Sequence, residues 1–133
     1  MSISGKGFVA NAEQHYAAYP DTVIPADDIS THEIIKAARE SDALGQFVLD
    51  EAAHVLGVAC AWCTMLFNPG QIILGGGLIN AVYDLISEKM LATMQAHCLP
   101  QSYSAVTVTL STLSNVALGA SALVHYFQEE RQK

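Results

Sequence analysis

The middle of the chain reads Asn68-Pro69-Gly70-Gln71-Ile72-Ile73-Leu74-Gly75-Gly76-Gly77-Leu78. Its Pro-Gly pair interrupts regular structure, and the residues at 71–74 are typical of a short buried strand. Three glycines follow this strand directly, and the apolar spacing after them predicts a helix from about Asn80 to Ala96. The stretch therefore predicts the strand and turn that open a strand–helix–strand unit.

The glycine turn carries the candidate ligand contacts. A ligand can lie directly on the backbone of Gly75, Gly76 and Gly77, and free amides at a helix start favour polar or anionic groups. Ligands of α/β sheets bind at the carboxyl ends of strands, where this turn stands. The alternative is a tight turn without a ligand. The stretch is neither a G-x-G-x-x-G fingerprint nor a P-loop, because no Gly-Lys-Ser/Thr follows.

Helices are predicted before this unit, and a strand and a helix after it. Before the unit, the predicted elements are helices over Gly7–Tyr19, Thr31–Glu40 and Ser41–Leu66, with a loop over 19–28. After α-helical residues 80–96, a half-buried strand over Ala105–Ser111 is predicted to lie parallel to the strand at 71–74. A last helix is predicted from Asn115 to about Gln128. Ser30 and Glu33 have capping-box spacing, so that each side chain can bond the other's backbone amide. Gly57 interrupts the third helix and predicts close approach of another backbone. The late part of that helix is apolar nearly all round, which predicts deep burial.

Composition limits the class of protein. The 133 residues allow one domain, 1–133, and a formal net charge of -7 disfavours nucleic acid and anionic membranes as partners. The apolar run Gly57–Phe67 is far shorter than the roughly 20 residues that span a bilayer, and the first residues lack the apolar core of a secretory signal. Three cysteines without framework spacing indicate a reducing compartment, so a cytoplasmic protein is predicted.

Other reactive side chains are interpreted as structural. Cys60 and Cys63 have the spacing of a redox motif, but they lie in an apolar helix, which favours buried core thiols. His97 precedes Cys98 at a helix end, where a histidine facing the helix dipole is the simpler interpretation. The methionines at 65, 90 and 94 are predicted to lie in the core. No residue is assigned as catalytic, and none is assigned as a metal ligand.

Four segments in order resemble the C-terminal half of sugar kinases of the ROK family (repressors, open reading frames and kinases). In that family a small-residue segment opens a helix, a long helix carries Leu-Gly, a segment like Asn-Pro-x-x-Ile-Ile-Leu-Gly-Gly-Gly follows, and a closing helix carries Gly-Ala. The matching segments here are Ile3–Val9, Glu51–Ala59, Asn68–Leu78 and Ser114–Ala120. The resemblance covers about residues 3 to 127.

The resemblance implies an α/β fold: part of an actin-like ATPase (ribonuclease H-like) lobe, helix-rich with a short parallel strand pair. It implies that Gly75, Gly76 and Gly77 lie against the adenosine of ATP, with Asn80 flanking it and Mg²⁺ accompanying the nucleotide. The implied activity is glucokinase-like phosphorylation of a hexose. A sensor lobe of a ROK-type sugar-responsive repressor is the second interpretation. An oligomeric interaction module whose glycines form only a turn is the third.

The chain also departs from the family pattern. It has no Asp-x-Gly-x-Thr phosphate loop, no matching aspartate base, and no Cys-x-Cys-Gly-x-x-Gly-Cys zinc signature. Phosphoryl transfer needs positioned phosphates, a metal and a base, so the chain alone is predicted to be inactive, with the sugar bound through the missing half. In the implied fold, further strands of this sheet lie upstream. Their absence would expose a sheet edge and apolar faces, which predicts a homo-oligomer.

Overall fold

A computed structural model describes residues 4–112, and the predicted helix from Asn115 lies outside them. The described elements, in chain order, are α1 (Gly5–His15), a 3-10 turn (Tyr16–Ala18), α2 (Thr31–Arg39), α3 (Ala43–Phe67), β1 (Gln71–Leu74), α4 (Gly77–His97), α5 (Pro100–Ala105) and β2 (Thr107–Leu110).

The two strands form a parallel pair. Gln71 lies opposite Thr107 and Leu74 lies opposite Leu110, so β1 has the predicted bounds and the predicted parallel pairing is confirmed. The second strand is shorter than predicted because residues up to Ala105 belong to α5. Proline interrupts helices, and the sequence predicts no helix at Pro100, between the helix that ends at Ala96 and the strand that begins at Ala105. Proline also suits the first turn of a helix, and here it begins α5.

Helices α3 and α4 pack closely along most of their length. A Cβ placed at Gly57 would lie 2.5 Å from the carbonyl oxygen of Met90 and 2.7 Å from the Cβ of Thr93. The glycine therefore allows the backbone of α4 to approach, as the sequence predicted. Met90 and Met94 are fully buried beside this contact, in the core to which α1 and α2 also contribute.

The connection between α1 and α2 is fixed by Asp42. This residue caps α3 by accepting a hydrogen bond from the Gly45 amide at 2.9 Å. Its carboxylate also accepts from the Val23 amide at 2.9 Å and from the Thr22 hydroxyl at 3.0 Å. Burial would raise the pKa of this carboxyl, but these bonds outweigh it and hold the pKa below its usual range. One side chain thus starts a helix and anchors a loop.

The capping box at the start of α2 is only half formed. Ser30 Oγ accepts from the Glu33 amide at 3.3 Å, as predicted. Glu33 does not complete the pair, because the Ser30 amide already donates to the Asp28 carbonyl at 3.0 Å. The Glu33 carboxylate instead lies 3.5 Å from Lys36 Nζ.

The late part of α3 is exposed, so the prediction of deep burial is wrong there. Trp62, Leu66 and Phe67 are 65%, 75% and 76% exposed. Met65 and Cys63 are also exposed, against the prediction that they lie in the core, whereas Cys60 is buried. The reason is that described residues cover α3 on the side of α4 and leave its outer side open. The helix is long and apolar enough to cross a membrane by length and composition alone, a test that core helices also pass.

Candidate functional site

The carboxyl ends of β1 and β2 meet at the glycine turn. The Ser111 amide donates to the Leu74 carbonyl at 2.6 Å, which carries the pairing one residue past β2. A Cβ placed at Gly75 would lie 3.2 Å from the Cβ of Ser111. The first glycine of the turn therefore packs against the end of β2. Ser111 is not among the predicted site residues, although its place at the end of the second predicted strand was a usable signal.

Gly76 has a backbone that requires glycine. Its φ is 118° and its ψ is 152°, a conformation that residues with a Cβ rarely adopt. It is the N-cap of α4, and no side chain caps this helix. Within residues 4–112, no heavy atom lies within 4 Å of a Cβ placed on Gly76 or Gly77, so the described part of the chain leaves both glycines uncovered. The turn offers bare, accessible backbone at the edge of the sheet.

Helix α4 begins three residues earlier than the predicted start at Asn80. It starts at Gly77, and the Asn80 amide donates to the Gly76 carbonyl at 3.0 Å. Asn80 thus lies in the first turn of the helix, with its side chain exposed. The prediction placed the start too late because glycine disfavours helix interiors. The amides before Asn80, at residues 77–79, have no acceptor within the helix and can bind a ligand.

The four predicted site residues are therefore neighbours in the structure. Gly75 lies against β2, Gly76 turns the chain, and Gly77 and Asn80 belong to the first turn of α4. Their backbone can hold the flat or polar part of a small molecule by close contact and amide hydrogen bonds. Residues 70–80 contain no Lys, Arg, Asp or Glu, so the turn supplies no charged side chain of its own.

Three reactive side chains, those of His97, Cys60 and Cys98, have surroundings that suit structural roles. His97, the last residue of α4, has Nδ1 2.8 Å from the Thr93 carbonyl oxygen, in agreement with its interpretation as a helix-end histidine. Burial raises the pKa values of Cys60 and Cys98, so both thiols stay protonated near neutral pH. Within residues 4–112 no group of three or more His, Cys, Asp or Glu side chains is placed to hold a metal ion.

The ROK family model matches residues 1–126. The chain belongs to the ROK family. It is 29% identical over 107 residues to the glucokinase of Halalkalibacterium halodurans, a match that covers 79% of this chain and 32% of that protein. It is 31% identical over 103 residues to the DNA-binding transcriptional dual regulator NagC of Escherichia coli, covering 76% of this chain and 25% of the regulator. The chain thus matches about a quarter to a third of the length of these curated relatives.

Solved structures resemble this ROK chain in fold. A putative sugar kinase from Cytophaga hutchinsonii superimposes with a TM-score of 0.77 at 22% identity, over 91% of this chain and 42% of that one. A ROK family transcriptional regulator, a homologue of the E. coli MLC protein, gives 0.70 at 23% identity, over 80% and 27%. The ROK family glucokinase from Streptomyces griseus, solved with glucose and AMPPNP, gives 0.61 at 24% identity, over 80% and 36%. The predicted fold is confirmed as a partial, helix-rich piece of the actin-like ATPase fold with two parallel strands.

Proposed function

We propose that this ROK chain forms the adenosine-binding side of the nucleotide site in an ATP-dependent hexose kinase of the glucokinase type. Membership of a family that contains sugar kinases supports the proposal, as does the relationship to a glucokinase. The proposal places the protein in the cytoplasm, in a reducing compartment where its cysteines remain thiols.

The observation that carries the proposal is the geometry of the glycine turn. Gly76 holds its backbone at a φ of 118°, and residues 4–112 place no heavy atom within 4 Å of a Cβ built on it or on Gly77. A nucleoside can lie flat on such a surface, and the amides at the start of α4 can donate to it. Because residues 70–80 carry no cationic side chain, the turn suits the uncharged adenosine part of ATP better than its phosphates.

The chain's own residues would bind and orient, and would not transfer a phosphoryl group. Transfer needs a metal, positioned phosphates and a base for the sugar hydroxyl. Residues 4–112 offer no metal-binding cluster for Mg²⁺, and the sequence has no Asp-x-Gly-x-Thr phosphate loop. When ATP is bound, Mg²⁺ would neutralise charge on its phosphates, held by groups outside these residues. We expect the 133-residue chain alone to bind nucleotide weakly and to leave sugars unphosphorylated.

A second candidate is the sensor lobe of a sugar-responsive ROK repressor. It is favoured by the 31% identity to NagC and by the TM-score of 0.70 to the MLC homologue. A repressor that senses a sugar has no phosphoryl donor to hold. Binding of adenosine at the glycine turn therefore favours the kinase, and its absence favours the repressor or an interaction module whose glycines form only a turn.

The test is a backbone amide NMR titration of the chain with ATP, adenosine and inorganic tripolyphosphate. We expect ATP and adenosine to shift the amides of residues 75–80, and tripolyphosphate to leave them nearly unchanged. Gly76→Val should remove these shifts, because a β-branched side chain fills the open space and strains the turn by about 1–3 kcal/mol.

Gly70→Val is the matched control. Gly70 stands at the other end of β1, and residues 4–112 again place no heavy atom within 4 Å of a Cβ there. This variant should keep the adenosine shifts. If millimolar adenosine causes no amide shifts in a folded sample, the proposal is overturned. If tripolyphosphate causes shifts equal to those of adenosine, the start of α4 binds anions and the turn is not an adenosine site.

A further inference from the structure

Arg39 joins the end of α2 to the start of α4. Its Nη1 donates to Asp84 Oδ2 at 2.7 Å, and its Nη2 donates to Asp84 Oδ1 at 3.1 Å. The same Nη2 also donates to the carbonyl oxygen of Ala81 at 3.0 Å. Both acceptors lie in the second turn of α4, directly after Asn80. A guanidinium that bonds both oxygens of a carboxylate has a fixed orientation, and we call these three bonds the Arg39 clamp.

The first turn of α4 lacks the usual supports of a helix start. Its N-cap, Gly76, has no side chain that could accept from the free amides. Its first residue is Gly77, and glycine disfavours the helical state. The first buried side chain of the helix is that of Val82. Such an end frays easily, and fraying would disorder the amides at 77–79 that the proposed nucleoside contact uses.

Apolar packing leaves a gap where the clamp crosses from α2 to α4. An open pocket of about 280 Å³ lies between α2, α3 and α4, and the residues that line it are Ala38, Gln46, Leu49, Asp50 and Leu85. Ala38 and Leu85 are the sequence neighbours of Arg39 and Asp84. The clamp therefore bridges the two helices at the side of this pocket.

The α2 side of the clamp is held by α3. A Cβ placed at Gly45 would lie 2.6 Å from the amide nitrogen of Ala38, so the two helix backbones are in contact one residue before Arg39. The Asp42 amide donates to the Ala37 carbonyl at 2.9 Å, and the Asp42 side chain caps α3. Helix α3 thus fixes the place of Arg39, and the clamp passes this constraint to the start of α4.

We propose that Arg39 is a positioning residue for nucleoside binding. Through Asp84 and the Ala81 carbonyl it keeps the first turn of α4 folded, so that the amides at 77–79 stay in place for the ligand. The inference rests on the proposed function, because it adds a supporting residue to the same site. Exposed ion pairs usually contribute little, but the two-bond pair of arginine and carboxylate is an arrangement that does contribute. The pair adds no net charge, which suits an uncharged adenosine.

The test compares adenosine binding by the wild-type chain and by Arg39→Met, which keeps an unbranched side chain and loses the guanidinium. We expect the apparent Kd, measured from the amide shifts of residues 75–80, to rise about threefold or more, because it rises as the fraction of chains with a folded first turn falls. In the ligand-free variant, hydrogen exchange should speed up at the Asn80 amide, whose bond to the Gly76 carbonyl closes this turn. Arg39→Lys keeps the charge without the two-bond geometry and should give a smaller rise.

Lys89→Met is the matched control. Lys89 of α4 pairs with Asp50 of α3, and the side chains of this pair are about half exposed, as are those of Arg39 and Asp84. Lys89 lies about three turns after the start of α4. Its loss removes one exposed ion pair far from the glycine turn and should leave both the adenosine Kd and the Asn80 exchange rate unchanged. An equal rise in the Kd of both variants would mean that overall stability sets the affinity, and would overturn the positioning role.

Titration with ATP separates positioning from direct contact. A positioning role raises the Kd values of adenosine and ATP by the same factor. If Arg39→Met weakens the binding of ATP alone, Arg39 contacts the phosphates and the positioning role is overturned, as it is by an unchanged adenosine Kd. If the wild-type chain binds no adenosine, the proposed function fails by itself. The Asn80 exchange rate then still decides whether Arg39 holds the helix start, and a rate unchanged by Arg39→Met would show that it does not.

Discussion

Replacement of Gly57 by alanine tests whether α3 and α4 depend on one close contact. The added Cβ would stand 2.5 Å from the Met90 carbonyl oxygen, 2.7 Å from Thr93 Cβ and 3.0 Å from Thr93 Cγ2. Ordinary van der Waals contact needs 3.4 Å or more. Because the nearest atom belongs to a helix backbone, no side-chain rotation relieves the overlap, and the helices must separate by nearly 1 Å.

The expected change in stability is a balance of two effects. Alanine is favoured over glycine inside a helix by about 1 kcal/mol. Overpacking of a tight core costs about 1–3 kcal/mol, and the upper end applies where backbone must move and Met90 and Met94 lose packing. We therefore expect Gly57→Ala to lower the free energy of unfolding by about 2 kcal/mol.

The assay is urea unfolding at fixed protein concentration, followed by circular dichroism at 222 nm. Ala92→Gly, at an exposed position of α4, measures the helix preference alone and should cost about 1 kcal/mol. Gly70→Ala should change stability little, because the added Cβ meets no atom of residues 4–112 within 4 Å. A Gly57→Ala protein as stable as wild type, or more stable, would refute the argument from close approach.

Two further predictions concern the start of α3. Gly45→Ala should destabilise the fold by about 1–3 kcal/mol in the same assay, because the Cβ would lie 2.6 Å from the Ala38 amide nitrogen; a neutral effect would mean that α2 can move freely. Asp42→Asn keeps a side chain that caps helices well but loses the charge in the bonds to Thr22 and Val23, so we expect a loss of about 1 kcal/mol at pH 7. Since the folded-state pKa of Asp42 lies below its unfolded value, its stabilisation is complete above about pH 4 and is lost as the pH falls through the folded pKa. Thermal melting from pH 7 to pH 3 should therefore show a smaller loss in the variant than in wild type, and parallel losses would contradict this role.

Sequence patterns predicted the elements whose signals are local. The bounds of β1, the hydroxyl cap at Ser30 and the close approach at Gly57 were all predicted from residues adjacent in sequence. The predictions failed where the result depends on neighbours distant in the chain. The amide of Ser30 has another acceptor, and the outer side of α3 is left open by the described residues. An apolar pattern shows which face of a helix is suited to burial. It does not show whether other parts of the chain pack against that face.

The candidate site was predicted only in part, because its sequence signal is local and some of its contacts come from distant residues. Three glycines after a strand identify a turn without side chains, and the structure places this turn at the carboxyl end of the parallel pair. The pattern could not give the positive φ of Gly76 or the start of α4 at Gly77. It also did not single out Ser111, although this residue ends the second predicted strand and reaches the turn through strand pairing.

The parallel pairing of β1 with β2 has a consequence for the order of folding. Gln71 Nε2 donates to Thr109 Oγ1 at 3.1 Å across 38 residues of chain, and no hairpin can bring these strands together. The loop-closure entropy of this pairing is offset only after α4 and α5 have formed between the strands. The sheet edge at the glycine turn is then completed late in folding. Any ligand that binds there would select the fully folded chain over its partly folded forms.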